Sequence, residues 1–257
     1  MVEIFTNIER AQILQLYERE VFQVPYIHSV LTGIQNGRLF ANNGNHPTCA
    51  FICHDFGWSQ IIGNMNEAFE SDLSDFIFNQ EAFSCFKVRA FSPNHAEFYR
   101  TFSEEAERCQ FRLTAFEELP KVPEDFSLKQ IKPNNSKLLS DSFGLDLYSR
   151  NWPSKNAFHI NSFGFFVEHE NKPVSVCYAS ATNNDILEID VFTAPDYRGF
   201  GLAKVVCGTF IQECLNNNIT PCWDCFTNNE GSMSLARSLG FSVHSGPYPF
   251  YTYNRRK

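Results

Sequence analysis

The sequence predicts an α/β (α+β) chain with a mixed central sheet flanked by helices, divided into two domains. Three observations carry that expectation. Short apolar segments alternate with helical patterns through the second half of the chain, the pattern of a sheet covered by helices. Residues 201–215 place Leu202, Val205, Val206, Phe210, Ile211 and Leu215 on one helical stripe. The stretch Glu118–Asp125, with Glu117 just before it, gathers two prolines and four acids among few apolar residues. Such a stretch resists a packed helix or strand and reads as a linker. The boundary is therefore expected near residue 125, between a smaller α+β domain over 1–125 and a second domain over 126–257.

In the first domain, residues 9–22 read as an amphipathic helix, with Ile13, Leu16, Tyr17, Val21 and Phe22 near helical spacing. Turn signals at 41–47 precede a strand over 48–54, and 58–62 reads as another. Residues 68–78 and 94–109 read as helices, and 111–116 as a strand.

In the second domain, a segment at 127–131 precedes a helical pattern over 136–147. The apolar runs 163–168 and 174–181, separated by Glu170-Asn171-Lys172-Pro173, read as a hairpin. A turn at 183–185 leads to a strand over 186–192. A strand over 221–226 and a helix over 232–239 follow, the helix stopped by Gly240. Strands over 241–245 and 250–253 close the chain.

The bulk numbers exclude several classes. The chain has 257 residues and a net charge of −8, from 21 Lys and Arg against 29 Asp and Glu. That balance argues against nucleic acid, whose affinity comes from many cationic contacts, and against a membrane surface. No export signal and no apolar run long enough to span a bilayer is read. Nine cysteines without a framework then fit reduced thiols in the cytoplasm. Cys222 and Cys225 share a two-residue spacing, but on a strand they face opposite sides, so neither a metal nor a redox pair is expected. Cys49 and Cys53 have the same weakness, and the histidines show no metal spacing.

The chemistry concentrates at one turn. The strand over 186–192 passes through Ala194-Pro195-Asp196 into Arg198-Gly199-Phe200-Gly201-Leu202-Ala203, and a helix starts at once. A helix N-terminus exposes unpaired N–H groups and partial positive charge, and glycines let that backbone approach a ligand. This is an anion site suited to a diphosphate, and Arg198 can add a charge-assisted bond. No Gly-Lys-Ser/Thr follows, so it is not a Walker loop, and the third glycine of a dinucleotide fingerprint is missing.

The segment Asp190–Ala203 resembles the central motif of the GNAT superfamily of N-acetyltransferases: Arg or Gln, two residues, Gly, one residue, then Gly or Ala. Arg198, Gly201 and Ala203 fill it. Downstream, Asn229-Glu-Gly-Ser232, Leu235-Ala236 and Leu239-Gly240-Phe241 resemble the family's Asn-x-x-Ser…Leu-Gly-Phe helix. The resemblance covers about residues 127–257, and its specific part is 186–241. The overall layout, a less typical first half before an acetyltransferase half, is similar to the zwittermicin-resistance type. The first half has no second glycine turn, and a degenerate copy of the same fold is one reading of it.

The resemblance implies acetyl-CoA as co-substrate, no metal, and a primary amine of a small molecule (an aminated metabolite or antibiotic) as acceptor, attacking directly in a ternary complex. The pantetheine amides would pair with Val191, Phe192 and Thr193. The pyrophosphate would sit on Gly199, Phe200, Gly201, Leu202 and Ala203 beside Arg198. Asn229 and Ser232 would approach the pantetheine. Ser232 also reads as a helix N-cap. Many family members carry a general-acid tyrosine where this chain has Ala236, so water or another group would protonate the thiolate, and Tyr248, Tyr251 and Tyr253 are considered, Tyr248 first. Glu188 and Asp190 are the candidate bases; two apart on a strand, they share a face, and a plain polar strand face is the competing reading. A non-catalytic acyl-CoA sensor or an interaction protein with a degenerate site remains the alternative function, and a homodimer is one assembly open to the chain.

Overall fold

The computed structural model describes residues 1–79, 87–91, 94–100, 103–144, 148–183 and 185–254. Residues 145–147 of an expected helix, 101–102 of another, Asn184 of an expected turn and the basic tail 255–257 lie outside them. The chain forms two compact units, Met1–Arg108 with Tyr248–Lys257, and Cys109–Pro247.

The first unit runs β1 (Val2–Glu3), α1 (Asn7–Tyr17), α2 (Pro25–Leu31), β2 (Gly37–Ala41), β3 (Cys49–His54), β4 (Trp58–Gly63), α3 (Glu67–Asn79), β5 (Lys87–Phe91), α4 (Ala96–Arg100) and β6 (Glu104–Leu113). Strands β1 to β4 pair antiparallel in succession, and β5 runs parallel to β4. The last strand of the chain, Tyr248–Asn254, lies between β5 and the first half of β6, antiparallel to both.

Two helix expectations fail here for physical reasons. Helix α1 starts at a capping box: Thr6 Oγ1 accepts the Glu9 N–H at 3.2 Å, and the Glu9 carboxylate accepts the Thr6 N–H at 3.1 Å. It stops at Tyr17, whose buried hydroxyl donates to Val24 O at 3.0 Å, so Val21 is left fully exposed instead of joining the stripe. The helix expected over 94–109 is only α4. From Glu104 onward the chain is strand, because ladder partners on two other strands outweigh local helix preference.

The second unit continues with β7 (Phe126–Gln130), α5 (Ser136–Phe143), α6 (Lys155–Asn161), β8 (Gly164–His169), β9 (Lys172–Asn183), β10 (Ile186–Thr193), α7 (Leu202–Asn216), β11 (Thr220–Phe226), α8 (Glu230–Ser238) and β12 (Phe241–Val243). The final strand is β13. Strands β7 to β10 pair antiparallel in succession, β11 runs parallel to β10, and β12 pairs with the second half of β6. This repeats the order of the first unit: a strand, two helices, three strands, a helix, a parallel strand, a helix and a strand. Helix α7 packs Val205, Val206, Cys207, Phe210, Ile211 and Cys214 into the core, while Leu215 of the expected stripe is exposed.

The compact units part inside β6 and again after Pro247, whereas the prolines at 120 and 123 had pointed to a division near 125. Residues 114–123 are irregular, as their composition predicts. They are nevertheless packed on the second unit. The N–H groups of Thr114 and Ala115 donate to Gly240 O at 2.9 and 3.2 Å. A Cβ on Gly208 would lie 2.5 Å from Pro120 Cδ, so the bare α7 backbone at Gly208 is what admits the strap.

Candidate active site

The site forms where β10 leaves its parallel neighbour. The β10–β11 register runs Ile186↔Thr220, Leu187↔Pro221 and Glu188↔Cys222, and stops there, although β10 continues to Thr193 and β11 to Phe226. On its other edge β10 stays paired with β9 throughout, with an irregularity between Glu188 and Ile189. The two parallel strands therefore splay apart. Residues 189–193 present one backbone edge with no partner on β11, over roughly 13 Å at about 3.3 Å per residue. Val191, Phe192 and Thr193 lie on this edge.

At the open end of the splay, Pro195–Tyr197 forms a single 3₁₀ turn, and α7 begins after Gly199 (φ +87°) and Gly201 (φ +78°). Both glycines occupy the left-handed region, and a Cβ on either would meet nothing within 4 Å. The turn is thus a concave backbone surface, shaped by positive φ and open above. The first intrahelical bond is Val205 N–H to Gly201 O at 3.2 Å. The N–H groups of the first turn, including Leu202 and Ala203, have no intrahelical acceptor, as in any helix. Gly201 caps α7 without a side chain, and no side-chain cap hydrogen bond closes that end among the described residues. Arg198 is exposed, and its Nε donates to Thr193 O at 3.4 Å, holding the guanidinium over the turn. Phe200 is 55% exposed, with its ring centroid 5.9 Å from that of Phe126.

The corresponding turn of the first unit, 64–66, is closed. Asn66 Oδ1 accepts the Phe69 N–H at 2.9 Å, Glu67 and Glu70 stand in the first turn of α3, and a Cβ on Gly63 would lie 2.1 Å from Thr48 O. Carboxylates and a side-chain cap at that helix end repel a diphosphate.

The N-cap role expected of Ser232 falls to Asn229. Asn229 is the N-cap of α8, its Oδ1 accepting the Ser232 N–H at 3.1 Å. Ser232 is not a cap: its Oγ accepts the Trp223 indole N–H at 3.1 Å, tying α8 to β11. Asn229 keeps its amide donors and Ser232 its hydroxyl proton.

The two carboxylates of β10 have different surroundings. Glu188 is 5% exposed and sits at the vertex of the splay, in register with Cys222 of β11. Burial first, then the Glu188 and Asp224 carboxylates, hold the Cys222 thiol well above its ordinary pKa range. Asp190 is half-buried; its Oδ2 accepts the Tyr178 hydroxyl at 2.8 Å and lies 3.8 Å from Arg150 Nη1. A hydroxyl donor and a cation already claim Asp190, which suits an anchor better than a proton carrier. Phe143 of α5 stacks edge-on to Phe192 at 5.4 Å, closing this face next to Asp190. Ala236 is fully buried. Tyr248 belongs to the first unit, where its ring packs 4.6 Å from Phe22 and 6.5 Å from Phe91. Among the expected residues, the second unit therefore holds all but Tyr248, Tyr251 and Tyr253.

A cavity of about 340 Å³ opens beside the first turn of α7, lined by Lys204, Arg237, Glu117 and Glu118. Sequence reasoning missed these residues, because the linker's place on α7 is not encoded in any local pattern. No group of three or more metal-binding side chains occurs among the described residues.

The chain is similar to known proteins over most of its length. The model of the GNAT acetyltransferase family matches residues 17–251. An uncharacterized N-acetyltransferase of Bacillus subtilis strain 168, YdfB, is 30% identical over 232 residues, covering 85% of this chain and 86% of that one. A GCN5-related N-acetyltransferase-like protein from Streptococcus suis superposes with a TM-score of 0.75 at 20% identity, over 95% of this chain and 97% of that one. A tandem GNAT protein from the clavulanic acid biosynthesis pathway superposes with a TM-score of 0.65 at 10% identity, over 98% and 95% of the two chains. With a family match over most of its length and a relative at this identity, the chain belongs to the GNAT acetyltransferase family and is an acyltransferase.

Proposed function

We propose that this protein transfers the acetyl group of acetyl-CoA to a primary amine of a small molecule by direct attack in a ternary complex. The observation that carries the reading is the splay of β10 from β11 beside an uncapped glycine turn. The free edge at residues 189–193 is comparable in length to an extended pantetheine arm. Its amides would pair with Val191, Phe192 and Thr193, and the pyrophosphate would take the N–H groups of residues 199–203 with Arg198 beside them. Asn229 and Ser232 offer remaining donors to the arm. The cavity at Lys204 and Arg237 would receive the nucleotide end of the same substrate.

With the pyrophosphate on the turn and the arm along the free edge, the thioester would fall near Glu188, at the vertex. Glu188 is the general base: its buried carboxylate takes a proton from the attacking nitrogen. Asp190 and Arg150, both about one-third exposed on the same face, orient the acceptor. A small molecule is favoured over a protein because the acidic chain carries no basic docking surface. The layout of the zwittermicin-resistance type, with a first half whose helix turn is closed to phosphate, supports an aminated metabolite. That half reads as a degenerate copy that no longer binds CoA. Eight described cysteines are free, in keeping with a reducing compartment such as the cytoplasm.

Glu188→Gln tests the base. The expected outcome is a fall in kcat of about a hundredfold or more, with acetyl-CoA affinity within about threefold of the parent by calorimetry. Equal loss of both, or of neither, would remove Glu188 from this role.

A further inference from the structure

Proton bookkeeping exposes a gap in that scheme. The departing CoA sulfur needs a proton, and the α8 position that could supply one holds Ala236, fully buried and without a donor. The proton then comes from water or from another side chain at the vertex.

Cys222 is placed to supply it. It forms the last registered pair of the parallel ladder with Glu188, so the two side chains share a face at the vertex itself. Its neighbour Trp223 points the other way, to Ser232 of α8, which fixes Cys222 on the face of Glu188, Asp190 and Phe192. Cys222 is half-buried, unlike the other described cysteines, which are buried. Its thiol lies within electrostatic reach of the Glu188 carboxylate, and Glu188 itself is 5% exposed.

We propose that Glu188 and Cys222 form a closed proton relay, in which Glu188 takes the amine proton and Cys222 gives a proton to the departing CoA sulfur. The inference rests on the acetyl-transfer reading above. The neutral amine attacks the thioester carbonyl and an N–C bond forms. The nitrogen loses its proton to the Glu188 carboxylate. The C–S bond breaks, and its electron pair leaves on the CoA sulfur, which takes the proton of Cys222. The Glu188 carboxyl then returns its proton to the Cys222 sulfur. The products are the amide and CoA thiol, and both residues end as they began.

The electrostatics time the two transfers. While Glu188 is ionised, its charge helps hold the Cys222 proton in place. Once Glu188 accepts the amine proton that charge is gone, and the thiol becomes a better acid just as the thiolate needs one. A carboxyl donating through a thiol to an alkyl thiolate moves the proton from a strong acid to a weak one, which is downhill. The same charge makes Cys222 a poor nucleophile at rest, since the thiolate is the reactive form.

The test uses the full-length protein with acetyl-CoA and three probe amines, n-butylamine, spermidine and tryptamine, following thiol release. Cys222→Ala should lower kcat by about tenfold to a hundredfold and leave the KM for acetyl-CoA and its calorimetric affinity within about twofold. Cys222→Ser should recover much of the rate, because a hydroxyl can pass the proton while a methyl cannot. Full activity in Cys222→Ala would overturn the relay and leave the transferase reading standing. An acetyl adduct on Cys222, trapped by acid quench without amine, would overturn it in favour of a covalent route. A loss in Cys222→Ser as deep as in Cys222→Ala, with both thermally as stable as the parent, would also count against it. Wild-type protein that binds acetyl-CoA but shows no amine-stimulated release would overturn the transferase reading and the relay with it.

Discussion

A single atom decides the chemistry at Gly201. Its φ of +78° strains any residue with a Cβ, yet the space above it is open, so strain and charge can be separated by substitution. Gly201→Asn and Gly201→Asp should fold alike, since both side chains tolerate the left-handed region. The aspartate should weaken acetyl-CoA binding by a further tenfold or more, about 1.4 kcal/mol, because it sets a negative charge against a diphosphate. Equal affinity of the two folded variants would contradict the pyrophosphate assignment. Residues of this kind were legible: Arg198, the two glycines, Asn229 and the β10 carboxylates follow from local pattern. Cys222 was legible only as half of an unpromising two-cysteine spacing. Its meaning depends on the Glu188↔Cys222 register, which no local pattern specifies.

Histidines report on acid stability at the same scale. Burial lowers the pKa of His95, whose Nε2 lies 3.0 Å from Gly63 O, and of His28 and His159. A buried histidine with a lowered pKa binds its proton more readily in the unfolded chain. Its contribution is therefore complete above the ordinary value of 6.5 and is lost as pH falls through and below it. The thermal midpoint should drop between neutral pH and pH values below about 6.5, and His95→Gln should flatten that drop. A midpoint that rises on acidification over that window would contradict the burial account.

At the scale of elements, the strap at 114–123 is the feature most different from its sequence reading. Its prolines did forbid regular structure, but the strap is a packed element of the second unit, bonded to Gly240 and seated on Gly208. Gly208→Ala should raise helix preference yet destabilise the protein by about 1–3 kcal/mol, because the added methyl collides with Pro120. Limited proteolysis should then cut first within 116–123. Unchanged stability with an uncut strap would show that the seat is loose. The helices α1 and α7, the β8–β9 hairpin and the strands β3, β4 and β10 were readable because each carries its own period or turn signal. Strand β6 was not, since its identity comes from partners far along the chain, and α2 and β2 were missed for the same reason.

For the whole molecule, the repeated order of elements explains why a chain of this length carries one open helix turn and one closed one. The first unit has the same order of elements, and Asn66, Glu67 and Glu70 stand at the helix end where the second unit has its glycine turn. Each unit also depends on a distant strand. In the first unit, β13 sits between β5 and β6 with Phe250 and Tyr251 fully buried. Ending the chain after Pro247 should remove much of the stability a domain holds, since two such aromatics alone are worth about 3–5 kcal/mol each against a total of about 5–15. Proteolysis should then digest residues 1–108 rapidly.

The central claim is that the splay and the glycine turn bind acetyl-CoA, and calorimetric titration of the purified protein with acetyl-CoA tests it most directly. The account predicts binding with a micromolar dissociation constant, weakened at least tenfold further by Gly201→Asp than by Gly201→Asn. No heat of binding at millimolar acetyl-CoA would contradict it, and would leave the turn as a relic within an acyltransferase fold.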